Sequence, residues 1–277
     1  MKKIALLFCA VALFLAACDK DEPVSSSEQP GTTQTDAFHA APVQNYPATA
    51  EVIYDAVTDV EGNHYDAVKI GEQIWMASNL RTRHYANNEE IQGTNRMSYT
   101  NPYYYIPSDD IASYGYLYNG AAVMHGEASS EANPCGVQGV CPKGWHIPSK
   151  AEWEQLINYC STHNECMCNE SSNNTAKSIA ADHGWRERAI TCAVGTDLSA
   201  NNATGFSSLP AGAFYMVDYA NRVGECANSR KMASYWSSTD YNDQHLYSFI
   251  LYDQSVELYP PGPDAKDGGN SVRCVKD

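Results

Sequence analysis

The sequence predicts an α+β fold: small antiparallel sheets, short helices and long irregular loops. Three observations carry this. Residues 51–76 alternate apolar and polar side chains on both sides of a Glu61-Gly62-Asn63 turn; residues 149–159 carry a capped helical pattern; and residues 81–114 are polar and tyrosine-rich, with Pro102 and Pro107 breaking any regular element.

In the first segment Tyr65, Ala67, Lys69, Gly71 and Gln73 fall on one parity and Val68, Ile70, Ile74 and Met76 on the other. Period-two patterning around a Gly-Asn turn reads as a β-hairpin. Trp75 and Leu80 lead into the stretch 81–114, expected to be exposed loop. Residues 116–124 have helical composition apart from Gly120. The clearest helix follows at 149–159. Ser149 stands at its cap with Glu152 three residues on, Pro148 precedes it, and Trp153, Leu156, Ile157 and Cys160 recur on one face. In residues 246–259 a rough alternation of apolar positions reads as strand.

The N-terminus reads as an export signal. Lys2 and Lys3 precede an apolar run, Ile4 to Leu15, too short to span a bilayer, and Leu15-Ala16-Ala17-Cys18 has the form of a lipobox. Residues 1–17 are then a signal peptide. Cys18 becomes the acylated mature N-terminus, tying the chain to a membrane through lipid. Asp19-Lys20-Asp21-Glu22 resembles the Lys-plus-acidic tetrapeptide that sorts bacterial lipoproteins to the outer leaflet, which places the protein in the outer membrane, facing the medium. Residues 18–50 are rich in Ser, Thr, Gln, Pro and Ala and read as a disordered tether, and residues 51–277 as one folded domain.

The chain has 18 Lys and Arg against 33 Asp and Glu, a net charge of −15. No basic stripe follows Lys3, which excludes nucleic acid as a partner. Of ten cysteines, eight remain once Cys9 and Cys18 are set aside, an even number in an exported chain, so disulfides are expected.

Six strings stand out: VKIGEQIWMASNL at 68–80, YGYLYN at 114–119, CPKGWHIPSKAEW at 141–153, ATGFSSLPAG at 203–212, YWSST at 235–239 and SVRCVKD at 271–277. Together they resemble the Fibrobacter succinogenes major paralogous domain, in order across nearly all of residues 51–277. The resemblance implies a C-type lectin-like fold, with two short helices flanking small antiparallel sheets and the chain ends paired. It also implies a Cys141–Cys274 bridge between the helix layer and the last strand, and a second pair, Cys168–Cys192. Gly120 departs from the family pattern, which has an aromatic residue there, so a weak first helix is expected. Cys135, Cys160, Cys166 and Cys226 have no counterpart in the pattern. Their pairing stays open, with Cys160–Cys166 and Cys135–Cys226 one of three connectivities.

Cys160, His163, Cys166 and Cys168 have the density of soft ligands a zinc site requires, set against the disulfides an oxidising compartment favours. His146, inside the GWHIP string, reads as a hydrogen-bonded core residue rather than a base. The usual catalytic strings are absent, which favours a non-enzyme; a metal-dependent enzyme is the alternative tied to the cysteine cluster. The candidate ligand-binding residues are Trp236, Asp240, Tyr241, Asn242, Asp243, Tyr252 and Tyr259. Nineteen tyrosines supply flat amphipathic rings suited to sugar faces or protein interfaces. Asp240, Asn242 and Asp243, and the trio Asp264, Asp267 and Asn270, offer oxygens of the kind calcium takes, but a solvated acidic loop is the preferred reading and no cofactor is assigned. The expected function is recognition of an extracellular glycan or protein; a structural component of the cell surface is the runner-up.

Overall fold

The computed structural model describes residues 42, 44–108 and 110–277. The signal segment, Cys18 and most of the tether lie outside the described residues. In chain order the strands are β1 (Glu51–Thr58), β2 (His64–Ile70), β3 (Gln73–Met76), β4 (Gln92–Gly93), β5 (Tyr103–Tyr105), β6 (Leu117–Tyr118), β7 (Trp145–His146), β8 (Ala213–Asp218), β9 (Val223–Ala227), β10 (Met232–Asn242), β11 (His245–Tyr252), β12 (Gly262–Ala265) and β13 (Val275–Lys276). The helices are α1 (Ile111–Tyr114), α2 (Gly120–Met124) and α3 (Lys150–Thr162). The fold is α+β, as expected. One sheet runs β1-β2-β3-β13-β7, a second β10-β11-β12, a third β4-β5-β6, and β8 pairs with β9. The expectation of antiparallel pairing fails at one place, since β4 and β5 run parallel.

The predicted hairpin forms with its turn closed by Asp59 N–H to Asn63 O at 3.0 Å, and β3 extends it to a meander. The last strand enters this sheet, with Val275 opposite both Trp75 and His146. The capping box of α3 is complete: Glu152 N–H donates to Ser149 Oγ at 3.2 Å, and Ser149 N–H donates to Glu152 Oε2 at 2.8 Å. Trp153, Leu156 and Cys160 are buried on the predicted face.

Three expectations are corrected. Residues 117–118 form a strand, and the helix begins only at Gly120, whose place is therefore its first turn and not its interior. A Cβ there would lie 2.8 Å from Lys266 Cβ, so the missing side chain admits the neighbouring loop, and Gly120 N–H donates to Lys266 O at 2.7 Å. Nor is the stretch 81–114 a free exposed loop, because Tyr85, Ile91, Met97 and Tyr105 are buried and pin it to the body. The folded part also starts before Glu51. Tyr46 packs on the core and donates to Asp66 Oδ2 at 3.2 Å, while Asn45 Nδ2 donates to Asp182 Oδ2 at 3.0 Å. A composition poor in large apolar residues hid one tyrosine that docks.

Two apolar cores lie on either side of β10. Tyr235 joins Trp75, Trp153, Phe206 and Phe249 under α3, whereas Trp236 joins Tyr65, Met76, Tyr118 and Trp145 on the other face. Residues 232–239 are consequently buried without alternation, and only the last three residues of β10 are exposed. Burial of this much apolar surface is the main stabilising term. Arg273 spans the same region fully buried. Its guanidinium donates to Asn79 Oδ1 (2.7 Å), Met76 O (3.0 Å), Phe206 O (2.5 Å) and Ser207 O (2.8 Å), and lies 4.6 Å from the Phe206 ring centroid. This saturation by carbonyls is what makes a buried cation tolerable.

Candidate functional site

The two disulfides implied by the resemblance are present, Cys141–Cys274 and Cys168–Cys192. Cys135, Cys160, Cys166 and Cys226 are free thiols. Cys135 donates to Ile147 O and Cys226 to Ile106 O, in separate parts of the fold, so the Cys135–Cys226 pairing is not made. Cys160 and Cys166 are neighbouring thiols; each acts on the other, raising the Cys160 thiol, which burial raises further, and lowering that of Cys166. The zinc alternative, set against disulfides in the sequence, does not assemble. Cys168 is consumed by its disulfide, and His163 stacks on Tyr159 with its Nδ1 2.8 Å from Tyr159 O. Local sequence density put these ligands together; the bridge to Cys192 takes one away.

The structure divides the predicted binding residues into three places. Trp236 is a correction, since it is 1 % exposed and donates its indole N–H to Tyr118 O at 2.6 Å, leaving no face for a ligand. Asp240, Tyr241, Asn242 and Asp243 sit at the tip of the β10–β11 hairpin, where Asn242 opposes His245. Tyr252 lies at the other end of the same ladder, opposite Met232. The predicted single patch is two sites.

At the tip the polar groups are largely spent on protein. Asp240 pairs with Lys266 at 2.6 Å, Asn242 Oδ1 accepts from Gln244 N–H at 2.9 Å, and Tyr241 packs edge-on against Tyr247 at 5.5 Å. The tip is exposed, whereas the loop ahead of β13 is not the solvated acidic loop expected. Asp267 is buried against Arg222 at 2.5 Å, and Asn270 Nδ2 donates to Asp264 Oδ2 at 2.8 Å. Burial pushes the Asp264 carboxyl above the usual range.

At the base, Tyr252 and Tyr259, 42 % and 58 % exposed, line a groove of about 390 Å³ with Ser248, Gln254, Ser255 and Val256. Its walls are held from behind. Asp253 is buried and accepts from Arg186 Nε at 2.6 Å and Arg188 Nη2 at 3.0 Å. Main-chain bonds from Ala176 N–H to Val256 O (3.0 Å), Val194 N–H to Ser255 O (3.0 Å) and Gly195 N–H to Asp253 O (2.8 Å) fasten the turn to the loop closed by Cys168–Cys192 and to the residues just after it. A Cβ on Gly195 would lie 2.2 Å from Arg186 O, so this close approach requires glycine. A depression of similar volume beside Lys69 and Cys166 has Tyr159 as its aromatic member, and another, about 450 Å³, runs past Tyr105 and Phe214, whose rings are buried against each other at 3.6 Å.

Sequence reading missed the clamp on Asp253, whose partners lie more than sixty positions upstream. It missed a second convergence as well. Among the described residues, Cys135 Sγ, a His146 ring nitrogen and a Glu152 carboxylate oxygen all lie within 4.8 Å of one another, the three-ligand group able to hold a metal. His146 Nε2 is 2.8 Å from Glu152 Oε1 and its Nδ1 2.7 Å from Asp277 Oδ1. Desolvation opposes charge on this imidazole, but the two carboxylates outweigh it and raise its pKa. His146 is thus the buried, hydrogen-bonded residue the sequence predicts.

These features define a class: a disulfide-braced α+β module with a rigid, aromatic-lined groove. The chain belongs to the Fibrobacter succinogenes major domain family, whose model matches residues 68–276. No curated protein and no solved structure matches it.

Proposed function

We propose that this protein is a non-enzymatic recognition module, held on the outer face of the outer membrane by lipid on Cys18, and that it binds an extracellular glycan in the groove between Tyr252 and Tyr259. The lipobox and the tetrapeptide after it support the location, and the family's resemblance to C-type lectin-like domains supports the ligand class by analogy. One observation carries the reading: two exposed tyrosines line a concave surface that sets the hydroxyls of Ser248 and Ser255 and the amide of Gln254 among Ile250, Val256 and Pro260, its turn anchored by Asp253. Tyrosine faces stack on the C–H faces of sugars, and the polar side chains between them match hydroxyls. A pre-formed groove spares the ordering penalty that a mobile loop would incur on binding.

A glycan array probed with the detergent-solubilised chain, with calcium and with chelator, tests this. Binding to a defined glycan that Tyr259→Ala abolishes is the expected result. A blank array beside tight self-association or selective protein capture replaces the reading with a structural role at the cell surface.

A further inference from the structure

We propose that Cys135, His146 and Glu152 form a site for one divalent transition-metal ion of the zinc type. Three parts of the chain meet there. Cys135 comes from the loop before the Cys141 bridge, His146 from β7 at the edge of the first sheet, and Glu152 from the first turn of α3. A thiolate, an imidazole and a carboxylate converging within 4.8 Å is a donor set zinc takes, with a fourth place for water on the side where Cys135 is half-exposed.

The surrounding bonds orient each donor. Asp277 Oδ1 takes the Nδ1 proton of His146 at 2.7 Å, which leaves Nε2 as the ligating atom, facing Glu152; carboxylate–histidine–metal relays have this form. Glu152 Oε2 is held by Ser149 N–H at 2.8 Å, so its rotamer is locked by the helix cap and Oε1 is the oxygen turned to His146 Nε2. Ser238 Oγ donates to Cys135 Sγ at 3.3 Å and Val137 N–H donates at 3.4 Å, both bonds suited to a thiolate. In the metal-free chain the Cys135 thiol donates a hydrogen bond to Ile147 O at 2.8 Å. Metal entry releases that proton and the one on His146 Nε2 to solvent.

The full chain, purified in detergent without chelator, is titrated with Co²⁺ and then Zn²⁺. One Co²⁺ per chain, a thiolate-to-cobalt charge-transfer band and displacement by Zn²⁺ are expected. Cys135→Ser removes the band, Asp277→Asn weakens Zn²⁺ about 10- to 100-fold by freeing the imidazole, and Cys160→Ser with Cys166→Ser leaves the band intact. Should Cys135→Ser fail to fold, mass spectrometry of the wild-type chain decides, because bound Zn²⁺ must shield Cys135 from iodoacetamide. Absence of stoichiometric uptake, a band that follows Cys160 and Cys166, or equal labelling of Cys135 with and without Zn²⁺ overturns the proposal.

Discussion

The two ends of the β10–β11 hairpin are built from one ladder and behave as different materials. At the Met232–Tyr252 end the strand is covered on both faces, the adjoining turn is clamped through Asp253, and the exposed tyrosines border a concavity. At the Asn242–His245 end the residues are equally aromatic and polar, but the groups are satisfied by Lys266, Gln244 and Tyr247 at an exposed hairpin tip. The difference teaches that exposed tyrosine is a supply of binding surface, whereas a rigid, concave arrangement of it is a site. Composition does not separate the two; the strand register does.

Four perturbations test how far that contrast extends. The largest effect is expected from Cys141→Ser with Cys274→Ser, which opens a closure of 133 residues and with it the frame shared by both ends. Chain entropy values it at about 4 to 5 kcal/mol, and denaturant unfolding should show a fall in the free energy of unfolding of that size. Next, Trp236→Ala empties a fully packed position and leaves Tyr118 O with Asn270 N–H as its one remaining donor, a loss of about 3 to 5 kcal/mol by thermal unfolding. Asp253→Asn removes the charge that Arg186 and Arg188 share and should cost about 1 to 3 kcal/mol while loosening the groove, seen as faster amide exchange at residues 252–256. Tyr241→Ala at the tip should stay within about 0.5 kcal/mol and leave glycan binding unchanged. A tip variant that abolished binding would reverse the assignment of the two ends.

Much of the fold was legible in the residues. The Glu61-Gly62-Asn63 turn, the Ser149–Glu152 box and the apolar face of α3 are local signals, and each appears where its chemistry requires. Tyr235 and Trp236 defeated pattern reading for a definite reason: consecutive side chains enter two different cores, so alternation vanishes and a buried tryptophan resembles a binding one. Gly120 misled similarly, because its role is set by Lys266, far away in the chain. The cysteines split along the same line. The two bridged pairs followed from the family resemblance, whereas the ligand group of Cys135, His146 and Glu152 is created by the meeting of β7, α3 and a loop, with no spacing that marks it in advance.

The most direct measurement is calorimetric titration of the glycan selected on the array into the wild-type chain and into Tyr252→Ala/Tyr259→Ala, with thermal unfolding of both. A fall in affinity of at least about tenfold with stability within about 0.5 kcal/mol is predicted, as for aromatic anchors on a preformed surface. Undiminished affinity in the double variant would contradict the placement of the site in this groove.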